Sequence, residues 1–124
     1  MSVYKVLIVE DDEWLAEQFF RVLSKAGYNI TITSNAMAAI EAIDDINPDA
    51  IILDMLLTGS TALGLLHELQ SYEDTGIIPI ILCTNLADEI SIKNLGPYGV
   101  RKIIDKTKMK PDDLLVALQD LNNI

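Results

Sequence analysis

The sequence predicts an α/β fold in which helices cover both faces of a five-stranded parallel sheet, and three observations lead there. Apolar runs alternate with helical patterns five times along the chain, the signature of a parallel sheet rather than a bundle or a barrel. Hydrophobic residues make up 50% of the 124 and the mean hydropathy is +0.28, which suits strands buried on both faces. Ionisable residues follow several of the runs: Glu10, Asp11 and Asp12 after Val6-Leu7-Ile8-Val9, Asp54 after Ile51-Ile52-Leu53, and Lys106 after Ile103-Ile104-Asp105. Carboxyl ends of parallel strands share one edge, so these charges are predicted to meet in a single crevice.

The elements follow in order. Tyr4 to Val9 reads as strand one. Helix one starts near Asp12, a plausible N-cap, buries Leu15, Phe19, Val22 and Leu23, and stops at Gly27. Tyr28 to Thr33 alternates apolar and polar as a half-buried edge strand does. Ser34 or Asn35 caps an alanine-rich helix burying Met37, Ile40 and Ile43, and the chain turns at Asn47-Pro48. Asp49 to Leu53 is strand three, and Thr58-Gly59-Ser60-Thr61 a loop feeding a helix through about Tyr72 with Leu63, Leu66 and Leu69 inward. Ile77 to Cys83 is strand four, with Pro79 near its start where a missing N–H is tolerated. A short helix around Ala87 to Leu95 precedes the breakers Gly96-Pro97 and Gly99. Val100 to Ile104 is strand five, and Pro111 suits the first turn of a last helix burying Leu114, Leu115 and Leu118. With no linker, repeat or low-complexity segment, residues 1–124 are expected to form one domain.

The formal net charge of −10 and pI of about 4.3 argue against direct nucleic-acid binding, which needs a basic patch to displace counterions. The single cysteine, Cys83, leaves no intramolecular disulfide to form and fits a cytoplasmic location. Met1 to Lys5 lacks the pattern of a signal peptide, and no apolar stretch approaches a membrane span, so no membrane partner is expected.

If strands one and three are central neighbours, Asp11 and Asp54 end side by side at the point where the winding reverses. A hard cation such as Mg²⁺ suits such a crevice, taking one or two carboxylates plus waters and phosphate oxygens.

These residues resemble the receiver domain of two-component response regulators, over essentially the whole chain. The resemblance rests on Val9-Glu10-Asp11-Asp12, on Asp54, on Thr84 after strand four, and on the run from Gly99 to Lys106. It implies a flavodoxin-like sheet of order 2-1-3-4-5 with five helices. It further implies that Asp54 is the phosphoacceptor, Asp11 a direct Mg²⁺ ligand and Glu10 a ligand through water, with Asp54 and the backbone carbonyl of Leu56 completing the set. Thr84 is then the hydroxyl that contacts the phosphoryl group, and Lys106 its cationic partner. The implied partners are a sensor histidine kinase or histidine phosphotransfer protein and a downstream protein. Such a receiver catalyses its own modification without ordinary turnover. The acyl phosphate would bias a two-state surface.

Four departures from the family pattern stand out. Ile103 occupies the switch position where an aromatic residue is usual. Thr107 follows Lys106 where proline is common, so the turn is expected to be trans and looser. Thr58 replaces a usual proline, with the later glycine displaced to Gly64. Leu56 and Leu86 stand where polar residues often help a water attack, which implies slow self-dephosphorylation.

Structural readings compete with the functional ones. Asp12 serves as a helix cap, His67 faces solvent, Cys83 is a buried strand residue, and Trp14 packs near the acidic cluster where its fluorescence reports metal. A phosphate-independent interaction module is the main alternative function. An aspartyl-phosphate hydrolase normally needs a second Asp where this chain has Leu56, and a cofactor-binding flavodoxin-like protein needs a glycine-rich loop that strand one lacks.

Overall fold

The computed structural model describes residues 4–57, 60–85, 92–110 and 112–122. In chain order the elements are β1 (Lys5–Val9), α1 (Glu13–Lys25), β2 (Asn29–Thr33), α2 (Ala36–Ile46), β3 (Ala50–Leu53), β4 (Leu56–Leu57) and β5 (Ser60–Thr61). They continue with α3 (Leu63–Gln70), α4 (Glu73–Gly76), β6 (Ile80–Thr84), α5 (Ile92–Leu95), a 3-10 turn (Gly96–Tyr98), β7 (Val100–Asp105) and α6 (Asp113–Asn122). The main sheet is parallel throughout, in the order β2-β1-β3-β6-β7. Counting only its own strands, this is the expected 2-1-3-4-5, and it reverses direction between β1 and β3.

Alternation along the strands divides the core into two layers, because successive side chains point to opposite faces. Leu7, Val9, Ile51, Leu53, Ile80 and Leu82 face one side, where Ala39 and Ile43 of α2 and Leu65, Leu66 and Leu69 of α3 cover them. Val6, Ile8, Ile52, Ile81 and Cys83 face the other, under Phe19 and Leu23 of α1 and Leu114, Ala117 and Leu118 of α6. Strands β3 and β6 are buried along their whole length and β1 from Val6 onward, which is why they read as unbroken apolar runs. Edge strand β2 stays half exposed, as its alternation predicts.

Helix one begins as expected: the Asp12 side chain accepts a hydrogen bond from the Leu15 amide at 3.1 Å, and Gly27 at φ +98° ends it. Asn35, not Ser34, caps α2, accepting from the Ala38 amide at 2.8 Å. Gly99 turns the chain into β7 at φ +88°, where an added Cβ would lie 3.2 Å from the Ile78 carbonyl oxygen.

The structure corrects several expectations. Met37 is 75% exposed, because it lies in the first turn of α2 and the buried stripe begins at Ala39. Leu63 is likewise exposed, since the inward face of α3 runs through Ala62, Leu65, Leu66 and Leu69. Leu15, Val22 and Leu115 are only partly buried. The helix expected to reach Tyr72 stops at Gln70, and α4 forms a sixth helix. Thr75 Oγ1 donates to the Leu69 carbonyl at 2.6 Å and Gln70 Nε2 to the Gly76 carbonyl at 3.1 Å, closing that corner. Ser60 and Thr61, expected in a loop, pair antiparallel with Leu57 and Leu56. Thr58, Leu86, most of the helix placed at 87–95 and Pro111 lie outside the described residues.

Cys83 is buried on β6, with its Sγ 3.3 Å from Met109 Sδ. Burial pushes its thiol up to about 12, against a smaller opposing pull from Lys106. Native protein at pH 8 is therefore expected to react with iodoacetamide roughly 100-fold more slowly than urea-unfolded protein. Comparable rates by mass spectrometry would show that the thiol is accessible.

Candidate functional site

The carboxyl edge of the sheet gathers the ionisable residues in the way the strand ends predict. Glu10 follows β1, and its amide donates to the Thr33 carbonyl at 3.0 Å. Asp54 follows β3, its amide bonded to the Val9 carbonyl at 3.2 Å. Lys106 follows β7, its amide bonded to the Thr84 carbonyl at 3.0 Å, so the sheet ladder itself carries the ammonium to the crevice. Thr84 is fully buried at the end of β6.

Lys106 Nζ lies 2.5 Å from Glu10 Oε1 and 2.7 Å from Asp54 Oδ2, bridging strand ends that are distant in sequence. Glu10 is 3% exposed, and its Oε2 accepts from the Asp12 amide at 3.2 Å. Burial raises the Glu10 pKa above its ordinary value, although the Lys106 and Asp12 hydrogen bonds and the Lys106 charge oppose the shift. Burial also works against the Lys106 ammonium, but its hydrogen bonds to Asp54 and Glu10 and their negative charge raise its pKa overall.

Carboxylate oxygens of Glu10, Asp11 and Asp54 all lie within 4.8 Å of one another. All three donors are hard anionic oxygens, a set that fits a hard divalent cation. Asp12 points its carboxylate at α1 instead, as a cap. Leu56 opens β4, where it pairs with Thr61.

Lys106 is followed by a turn whose construction sequence reasoning missed. Among the described residues every peptide bond is trans, as expected after Lys106. The turn is not loose, however. Asp105 Oδ1 accepts from Thr107 Oγ1 at 2.6 Å and from the Thr107 amide at 2.9 Å, while the Asp105 carbonyl accepts from the Lys108 amide at 3.1 Å. An Asp two residues before a Thr is a recognisable side-chain-to-backbone turn signal, and it stands here in place of a proline. The Thr107 hydroxyl and amide hold the Asp105 carboxyl below its ordinary value. Its contribution to stability is thus present above the unfolded pKa and lost as pH falls through the folded one. The Thr107 amide proton is expected to titrate with a midpoint below the usual 3.8 in acid NMR spectra, and Asp105→Ala to remove that titration. A midpoint at or above 3.8 would contradict this account of the turn.

Ile103, the expected switch position, is partly buried on β7 and packs against the layer beneath α2 and α3. His67 is exposed, as expected, with its ring edge-on to Tyr98 at 4.8 Å. Trp14 departs from the packing expectation: it is 71% exposed, beside a groove that Lys106 and Met109 also line. Among the described residues no helix is long and apolar enough to cross a membrane.

Comparison with known proteins agrees with this architecture. The chain is 38% identical over 94 residues to TcrX of Mycobacterium tuberculosis, described as a probable transcriptional regulatory protein, covering 76% of this chain and 40% of that protein. It is 28% identical over 107 residues to the DNA-binding response regulator MtrA of Mycolicibacterium smegmatis, covering 86% and 44%. The chain thus spans less than half the length of these relatives. In fold it is similar to the chemotaxis response regulator CheY4 of Vibrio cholerae, with a TM-score of 0.83, 22% identity, and coverage of 97% of this chain and 99% of that one. A CheY-like receiver domain from Methylobacillus flagellatus gives a TM-score of 0.82 at 20% identity, with the same coverage. The response regulator receiver domain profile matches residues 6–119, and the chain belongs to that family of two-component signalling domains.

Proposed function

We propose that this receiver accepts a phosphoryl group on Asp54 from a phosphohistidine of a sensor kinase or phosphotransfer protein, with Mg²⁺ held by Glu10, Asp11, Asp54 and the Leu56 carbonyl. The observation that carries the reading is Lys106 Nζ seated between Asp54 and Glu10 at 2.7 and 2.5 Å, beside three clustered carboxylates. An Asp54 oxygen forms the new bond to phosphorus as the donor's N–P bond breaks, and the imidazole nitrogen keeps that electron pair. Bound Mg²⁺ supplies the positive charge that lets an anionic nucleophile approach an anionic phosphoryl group. Lys106 offers a fixed donor to the transferred oxygens, and the Thr84 hydroxyl both donates and accepts, so it responds to the phosphoryl group by hydrogen bonding.

The domain consumes one phosphoryl group per modification and is not a turnover enzyme. It acts in the cytoplasm through a downstream protein. Its net charge of −10 weighs against direct nucleic-acid contact by this segment, and any DNA-binding activity in relatives such as MtrA belongs to proteins about twice its length.

Treating the protein with acetyl phosphate and Mg²⁺ and measuring intact mass tests the reading. One phosphoryl adduct is expected, absent in Asp54→Ala and in EDTA. No adduct on the wild type would favour a phosphate-independent interaction module, a reading that the aliphatic Ile103 at the switch position also supports.

A further inference from the structure

The amino edge of the sheet, remote from the crevice, carries a second surface. A cleft of about 330 Å³ opens between α2 and the α3–α4 corner, and an adjoining one of about 200 Å³ shares Asp74 and Thr75 with it. Ile40, Ile43 and Leu69 line the first cleft. Around the two, Tyr72 is 58% and Ile77 76% exposed, both large apolar side chains left in water. Met37, expected in the core, extends the apolar stripe of α2 outward through Ile40.

Asp44, Glu68 and Asp74 line the same cleft, and among the described residues no Lys, Arg or His lines either one. The pairing habit elsewhere is different: exposed Glu17 meets Arg21 at 3.3 Å, and Asp120 meets Lys102 at 2.5 Å. None of the three cleft acids forms a salt bridge among the described residues; Asp74 accepts only from the Thr75 amide at 3.0 Å. An apolar floor with a one-sign rim is complementary to an apolar side chain flanked by cations.

We infer that this cleft docks a basic amphipathic segment of a partner protein, one apolar residue entering over Ile40, Ile43 and Leu69 while flanking Lys or Arg meets Asp44, Glu68 and Asp74. A second copy of the chain is disfavoured as occupant, because two chains of net charge −10 repel. Asp44 lies in the last turn of α2, and Asp49 and Pro79 of the smaller cleft precede β3 and β6, so the surface sits at the sheet edge opposite Asp54. Docking there is independent of phosphorylation and of the function proposed above.

The test is calorimetric titration of the full chain with a synthetic Leu/Lys amphipathic helix, its Leu/Glu counterpart, and spermine. The Leu/Lys peptide is expected to bind, the Leu/Glu peptide not. Asp44→Asn/Glu68→Gln/Asp74→Asn should weaken binding more than about tenfold, and so should Tyr72→Ser/Ile77→Ser. The charge-matched control Glu17→Gln/Asp112→Asn/Asp120→Asn, and Asp54→Ala, should both stay within about twofold. Equal losses in the two acid triples would reduce the effect to general attraction toward a polyanion and overturn the inference. Spermine displacing the peptide completely, or a tenfold change in Asp54→Ala, would overturn it as well. Loss of phosphorylation with docking retained would remove the proposed function and leave the cleft standing.

Discussion

Lys106→Met is expected to slow phosphorylation by acetyl phosphate about 100-fold, the usual cost of losing one preorganised donor to a developing charge. The variant keeps the apolar stem of the side chain, so the loss is that of the ammonium. It also leaves Glu10, 3% exposed, and Asp54 without their shared counter-ion. Breaking a buried pair in this way destabilises by about 3 kcal/mol at neutral pH without divalent cation. The deficit should shrink as pH falls through the raised Glu10 pKa, because a neutral carboxyl needs no partner. In the wild type the folded pKa of Lys106 is raised, so its contribution is complete below 10.5 and is lost as pH rises through the folded value. Urea titrations of both proteins from acid to alkaline pH, with and without Mg²⁺, measure both effects. A variant equally stable at neutral pH would mean that the crevice tolerates its carboxylates unaided.

Ile51→Ala and Ile52→Ala are each expected to cost about 3 to 4 kcal/mol, through lost transfer energy and the cavity left behind. The residues are adjacent on β3 and almost wholly buried, yet Ile51 faces the layer under α2 and α3 while Ile52 faces that under α1 and α6. With the sheet between them and no shared side-chain partners, the two losses should add. The double variant should therefore lose about 7 kcal/mol, enough to unfold a domain of ordinary stability. Urea melts decide this, with the single variants extrapolated to water. A single loss under about 1 kcal/mol, or strong non-additivity, would contradict the two-layer core.

Much of the candidate site was legible because each residue lies at the end of an apolar run. Glu10, Asp54 and Lys106 need only the parallel arrangement to converge; burial on both faces makes β1 and β3 recognisable, while the edge strand β7, mostly half-buried, is marked by Ile103 and Ile104. Asp12 was legible too, as a cap standing before an amphipathic stretch. The Asp105–Thr107 turn was less legible, because Asp105 closes the run of β7 and its side chain bonds Thr107 only where the chain leaves that strand.

The sequence by itself determined the alternation of strands and helices, the parallel sheet and the edge at which the charges emerge, since hydrophobic period and strand direction are local properties. Tertiary structure alone decided which face of each helix is buried and where each helix ends. Leu63 lost its place to Leu65, and Met37 came out into solvent, because the sheet covers only part of each apolar stripe. It also decided that Lys106 lies between Glu10 and Asp54, a distance of a few ångströms set by the β6 and β7 ladder across residues far apart in the chain.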